Sequence, residues 1–255
     1  MRIIDLSVSL DNHSPVDRPG NGPRIHYQNH QETFQQLAGA FPGLAKNDLP
    51  DAEAWAVERL ELSTHNGTHM DAPWHYASTM NGGERAMTID EVPLDWCYRP
   101  GVRLDLSHLP DGHLVGAAEL RAELDRIGHT LSPLEIVLVH TGAARRYGQP
   151  DYLDSGCGMG REATLFLAGQ GIRVMGTDAW SWDAPFSHTA RRYRETGDPS
   201  IIWEGHKAGR EVGYCQLEKL ANLDQLPDSG FIVSCFPVKI HAASAGWTRA
   251  VALLD

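Results

Sequence analysis

A chain of 255 residues, 42% hydrophobic and 22% charged, has the length and balance of a globular protein with one large core, which excludes disordered and fibrous classes. Its net charge of -11, from 22 basic and 33 acidic residues, opposes close approach to nucleic-acid phosphates or anionic lipid. No apolar run approaches the roughly 20 residues of a membrane span, so neither a nucleic acid nor a membrane is expected as a partner.

Arg2 to Leu10 alternates apolar and polar residues and reads as an opening strand. Asp5 interrupts the apolar stretch that a secretory signal would need, and no small-residue cleavage site follows, so a cytoplasmic location is expected. Asp11 to Arg24, with three prolines and two glycines, is expected to be a surface loop. A short helix is expected from Gln31 to about Ala40, then strands at Trp55 to Thr64, Gly101 to Leu106, Ile136 to His140, Ile172 to Gly176, Phe231 to Phe236 and Ala250 to Leu253. Helices fit at Ala117 to Ile127, Arg161 to Ala168 and around Gln216 to Leu220. With no composition break or repeat, residues 1–255 are expected to form a single α/β domain.

Two segments stand apart. Asp178 to His206 carries five aromatic residues with neither a helical nor a strand period. It is expected to be a long loop, either a lid over a binding site or a surface segment pinned by its aromatics. Gly156 to Gly160 lacks the spacing and the Lys of a phosphate loop, so a glycine-rich turn is expected. No Gly-x-Ser-x-Gly elbow is present, which disfavours a serine hydrolase. Cys97, Cys157, Cys215 and Cys235 are widely spaced, as buried free thiols are; their even number also permits two disulfides.

The segment with the most chemistry runs from His65 to His75 and holds His65, His69, Asp71 and His75 within eleven residues. On a helix, Asp71 would lie about 200° from His69 and out of reach. On an extended chain, positions 65, 67, 69 and 71 face one way. The β-branched Thr64 and Thr68, with Gly67 and Pro73, favour the extended form. Two imidazoles and a carboxylate then form a set suited to zinc or manganese. Gly67 is expected to leave room for the ion, and His75 to turn back toward it after Pro73. A single histidine is more often a packing or surface residue, but three with an aspartate at this density are hard to explain by packing.

The string His65-Asn66-Gly67-Thr68-His69-Met70-Asp71-Ala72-Pro73-Trp74-His75 resembles the His-x-Gly-Thr-His-x-Asp-x-Pro-x-His signature of the cyclase family of metal-dependent hydrolases, which includes bacterial kynurenine formamidases and isatin hydrolases. Ile4 to Ser7 is similar to the family's opening strand, and Phe236 to Ile240 and Arg249 to Ala252 to its closing strands. The resemblance implies a swivelling β/β/α domain with a mixed, partly barrel-like sheet and flanking helices, assembled as a homo-oligomer (dimer or tetramer). It also implies that His206 and Glu218, twelve positions apart, help to hold a second ion. The alternative leaves Glu218 as an ordinary helix-surface residue and His206 as a loop residue. The loops 11–50 and 178–203 are longer than in formamidases, which places the substrate differences there.

A metal-dependent hydrolase acting on an amide, lactam, lactone or formamide bond of a small cyclic or aromatic molecule is therefore expected. One or two divalent ions, zinc or alternatively manganese, would be held by His65, His69, Asp71, His206 and Glu218. His75 would serve as general base and acid, with Trp74, Trp180 and Phe186 contacting the substrate. A metal-dependent cyclisation or dehydration of a small carbonyl compound is the first alternative, and a non-catalytic metal-binding protein the second.

Overall fold

The computed structural model describes residues 1–13 and 16–254. In chain order, the first half contains β1 (Arg2–Asp5), β2 (Arg24–Gln28), α1 (Phe34–Ala40), β3 (Val57–Glu61), β4 (His69–Asp71), α2 (Pro73–Tyr76), β5 (Thr79–Met80), β6 (Glu84–Arg85), β7 (Tyr98–Asp105), β8 (Leu114–Val115) and α3 (Ala117–Ile127). The second half adds β9 (Ile136–His140), β10 (Gly158–Met159), α4 (Arg161–Gly169), β11 (Val174–Thr177), α5 (Phe186–Thr196), α6 (Glu204–Lys207), β12 (Cys215–Glu218), β13 (Phe231–Ser234), β14 (Ala245–Trp247) and β15 (Val251–Leu254).

Nine strands form one curled mixed sheet in the order β1-β15-β13-β7-β9-β11-β12-β4-β14. The middle strands β7, β9, β11 and β12 run parallel to one another, and antiparallel pairs close both sides. The unbroken apolar run of β9 follows from this position, because both faces of the sheet are covered. Ile136 and Leu138 enter one core with Ile4, Met70 and Leu217. Val137 and Val139 enter the other, where α3 and α4 contribute Leu120, Leu124, Ala163 and Leu167. Burying each such side chain stabilises the fold by about 1.5–3 kcal/mol before the cost of ordering it.

The expected α/β class and most central elements agree with this architecture; four local expectations do not. Gln216 to Leu220, expected as a helix, forms β12 and the residues after it. Its Gln, Leu, Glu and Lys favour a helix locally, but parallel pairing with β11 and antiparallel pairing with β4 override that preference. Residues 178–206 are not one loop, since α5 lies within them and α6 begins at Glu204. Pro185 precedes α5, and Gly197 ends it at φ 66°. Only Thr189 of that helix is buried, so no apolar stripe announces it. Phe236 to Ile240 is not a strand: Phe236 and Val238 are exposed, and Pro237 lacks the N–H that a ladder needs. The closing pairing beside β4 is made instead by β14. Gly158 belongs to β10 rather than to a simple turn.

Beyond the large sheet, β2 and β3 form a separate two-stranded ribbon, which begins at the end of the expected 11–24 loop. All four cysteines are buried and unpaired. Among the described residues no helix is long and apolar enough to cross a membrane.

Candidate metal centre

Strand β4 is only three residues long, yet it has a hydrogen-bonded strand on each side. Met70 packs into the core, and the alternation of the strand turns His69 and Asp71 to the opposite face. The register with β12 places Glu218 directly across from His69. His69 Nε2 lies 3.3 Å from Asp71 Oδ1 and 3.6 Å from Glu218 Oε2.

His65 is not on an extended run with these residues. Residues 64–68 form a turn in which Gly67 adopts φ 61°. That backbone favours glycine, and Leu10 Cδ2 would also have to shift, since it would stand 2.8 Å from an added Cβ. The expected clearance for an ion is therefore not its structural role. The turn carries His65 Nδ1 to 2.9 Å from Asp71 Oδ1, while its Nε2 lies 3.2 Å from Ser244 Oγ. It also brings the Gly67 carbonyl 2.9 Å from His69 Nδ1, and when that nitrogen donates, Nε2 is left free toward the carboxylates.

His75 lies on α2, which starts at Pro73. Its Nε2 is 3.8 Å from Asp71 Oδ2, and its ring centroid is 4.1 Å from that of His65. His206, on α6, arrives from the far side with Nε2 3.9 Å from Asp71 Oδ2 and 3.6 Å from Glu218 Oε1. All the residues proposed from sequence as ligands or as the base thus converge on Asp71.

Asp183, which the sequence reading missed, contacts His206 Nδ1 and accepts hydrogen bonds from the Gly205 and His206 backbone N–H groups at 2.8 and 3.0 Å. Gly158 makes this arrangement sterically accessible, since a Cβ there would collide with the backbone of Asp183 and Ala184. Lys219 was also missed. Only 2% exposed, it reaches Asp17 Oδ1 at 2.5 Å and the His65 carbonyl at 2.9 Å. Asp17 further accepts from Asn66 Nδ2 at 2.7 Å and Trp180 Nε1 at 3.3 Å.

The electrostatics suit a bound cation. His69 Nε2 and both Asp71 carboxylate oxygens are buried without a well-directed hydrogen bond, an arrangement that costs free energy unless something satisfies them. Burial would raise the Asp71 pKa, but His69, His75 and His65 hold it well below the usual carboxylate range. Burial and the charge of Asp71 push Glu218 up against the opposing pull of His206 and His69. Burial disfavours charge on His69 and His206, yet the facing carboxylates raise both. Two three-residue groups, His65-Asp71-His75 and His69-Asp71-Glu218, each bring possible ligand atoms within 4.8 Å of one another. The donors fit a divalent ion, and Asp71 belongs to both groups.

The site opens into a cavity of about 690 Å³ whose walls include Trp180, Phe186, Trp203 and Arg18. Trp180 and Phe186 thus border the same space as His65, His75, His206 and Glu218. Trp74 is 40% exposed and does not line the cavity.

A model of the Cyclase family ("Putative cyclase") matches residues 4–184. The chain belongs to this family. It is 28% identical to a kynurenine formamidase of Paracidovorax citrulli (strain AAC00-1) over 224 residues, covering 83% of this chain and 88% of the relative. A kynurenine formamidase of Erythrobacter litoralis (strain HTCC2594) is 27% identical over 197 residues, 76% of each chain. The fold matches an isatin hydrolase bound to the product analogue thioisatinate, with a TM-score of 0.77 and 22% identity over 99% of this chain and 92% of the other. Isatin hydrolase A from Labrenzia aggregata, bound to benzyl benzoate, gives 0.74 and 25% over 99% and 93%. This cyclase-family chain is a metal-dependent hydrolase that uses a divalent metal and acts on a small molecule.

Proposed function

We propose that this hydrolase cleaves an amide, lactam, lactone or formamide bond in a small cyclic or aromatic substrate. The supporting observation is the buried Asp71 carboxylate, neither oxygen of which has a well-directed hydrogen bond, with His65, His69 and His206 facing it and Glu218 facing His69 and His206 beside an aromatic-walled cavity. His65, His69 and Asp71 would hold one ion, and Asp71, His206 and Glu218 a second; zinc is the first choice and manganese the alternative. Such an ion polarises a carbonyl and lowers the pKa of water from about 16 toward 7.

His75 supplies the proton chemistry. Burial, helped by the neighbouring imidazoles and opposed by Asp71, lowers its pKa to about 4 and keeps the ring neutral at neutral pH. It borders the cavity, so it is placed to take a proton from the attacking water and return it to the departing nitrogen or oxygen. Asp183 occupies His206 Nδ1 and leaves Nε2 facing the carboxylates. Trp180 and Phe186, whose ring centroids are 5.9 Å apart, exclude water and stack on a planar substrate. Cyclisation or dehydration would use the same carbonyl chemistry, but relatives named for hydrolytic reactions favour hydrolysis.

The test is metal analysis of the purified protein, followed by a screen of lactones, cyclic imides and N-formyl aromatic amines before and after chelation. Turnover that chelation abolishes and a divalent ion restores is expected. Activity indifferent to chelation, or none on any of these classes, would overturn the reading.

We also infer assembly into a dimer or tetramer. In the β2–β3 ribbon, Ile25, Tyr27 and Leu60 share one face by register with a single charged residue, Glu58, and Tyr27 and Leu60 are 65% and 50% exposed. A lone two-stranded ribbon is marginal in water, so an apolar face of this kind calls for a cover. Sedimentation of Leu60→Asp should reveal a smaller species than the unaltered protein; identical species would remove the ribbon from the interface. A cytoplasmic setting accords with the four buried, unpaired thiols.

A further inference from the structure

Every basic side chain that lines the cavity has an acidic partner except one. Lys219 is paired with Asp17 and Arg24 with Glu61. Arg18 has no carboxylate within ion-pairing distance among the described residues. Its guanidinium carbon lies instead 4.6 Å from the centroid of Phe186 and 5.6 Å from that of Trp180. These are the two rings proposed to hold a planar substrate.

The backbone that presents Arg18 is firmly anchored. Val16 is buried in a cluster with Ala143, Tyr152 and Ala179. Asp17, its side chain almost wholly covered, ties together Lys219, Asn66 and Trp180. The Arg18 carbonyl accepts from the Asn21 N–H at 2.9 Å, and the Asn21 carbonyl accepts from Asn66 Nδ2 at 2.8 Å. The loop is therefore fastened on both sides of Arg18 to the turn that carries His65, while the guanidinium itself has rings but no carboxylate beside it among the described residues. The guanidinium sits beside two rings inclined at 65° to each other, and its N–H donors, unpaired by any protein carboxylate among the described residues, are available for paired hydrogen bonds to an anion.

We propose that Arg18 is a specificity residue that recognises a carboxylate on the substrate, so that the preferred substrate is an anionic aromatic acyl compound rather than a neutral one. This rests on the hydrolase reading above and deepens it. An arginine with five donors suits a carboxylate better than a neutral carbonyl, and the aromatic wall beside it suits a planar ring bearing that group.

The test compares formanilide with its carboxylated analogues, 2-, 3- and 4-formamidobenzoate, on the metal-loaded enzyme. The unaltered protein should prefer at least one formamidobenzoate in kcat/KM. Arg18→Gln should reduce that preference by roughly 10- to 100-fold, chiefly through KM, as expected when a charge-assisted hydrogen bond is lost. Arg18→Lys should retain part of it, because the charge remains but the planar fork does not. Equal loss on charged and neutral substrates, or an unchanged ratio, would overturn the proposal. A turnover-free measurement separates its failure from that of the hydrolase reading: titration of the metal-loaded protein with benzoate and with benzamide. Tighter benzoate binding that weakens in Arg18→Gln supports carboxylate recognition even if no formanilide is cleaved. Benzoate affinity indifferent to Arg18 refutes it.

Discussion

Glu218 and His69 face each other across an antiparallel strand pair, with Oε2 and Nε2 3.6 Å apart, so the two halves of the candidate centre are joined by backbone register rather than by loops. A displacement of either strand would move ligands of both proposed ions together. His65→Ala, His69→Ala and Asp71→Ala should each abolish tight metal binding or sharply weaken it. His206→Ala and Glu218→Ala should each remove about half of the bound metal while the fold persists. Elemental analysis alongside circular dichroism checks this; one equivalent in the unaltered protein, untouched by changes at 206 or 218, would eliminate the second ion.

Asp183 supplies the next expectation. It holds His206 through Nδ1 and through the peptide N–H, so Asp183→Asn should leave the chain folded but lower metal affinity by about 10- to 100-fold, the usual cost of losing such an orienting partner. Competition with a chelator of known affinity measures this; unchanged affinity would make Asp183 a packing residue only.

His75→Ala should retain metal and lose about 10²- to 10⁴-fold in kcat. Because burial depresses the pKa of His75 to about 4, its neutral, base-competent form persists into acid. Activity dependent on that form is lost as pH falls through the lowered value, so the acid limb should lie below the ordinary imidazole value of about 6.5. Metal content at each pH distinguishes protonation of His75 from release of the ion. A rate loss under tenfold in the alanine variant would remove the catalytic role.

Gly67→Ala places a side chain at φ 61° and against Leu10. The backbone cost alone is about 1–2 kcal/mol, and the shifted turn should also weaken metal binding through His65 and the Gly67 carbonyl. Adding Leu10→Ala should relieve the contact but not the backbone strain, so thermal unfolding of the double variant should recover only partly. Full recovery would mean that the turn tolerates alanine.

Trp180→Ala and Phe186→Ala should raise KM and leave metal content unchanged. Each ring pairing with a planar substrate contributes about 0.5–1.5 kcal/mol beyond area burial, or a few-fold to about tenfold in affinity. Unaltered kinetics in both variants would reassign these residues to surface packing.

The sequence was most informative where one local feature determines the outcome. The run Ile136 to His140 is apolar at four successive positions because both sheet faces cover it, and the strand occupies those residues. The histidines and Asp71 stand close in sequence as well as in space. Glu218 is reached only through the family resemblance, which pairs it with His206, and the helix expected around it is a strand, because a strand fixed by neighbours on both sides can carry helix-favouring residues. Asp183 and the Asp17–Lys219 pair left no comparable local signal: Asp17 and Lys219 are 202 positions apart, and only the folded chain brings them together.

The weak anchoring of α5 has a consequence for the protein's evolutionary history. That helix buries one residue, whereas Met70 and Leu217 beside the ligands lie in the main core. Exchanges along its exposed positions cost little, usually within about 0.5 kcal/mol, while exchanges at Met70 or Leu217 strike the packing that holds the ion-binding strands. Inheritance can therefore vary the wall around Phe186 and preserve the cradle beneath it, so a lineage can change what it hydrolyses without risking the ability to hydrolyse.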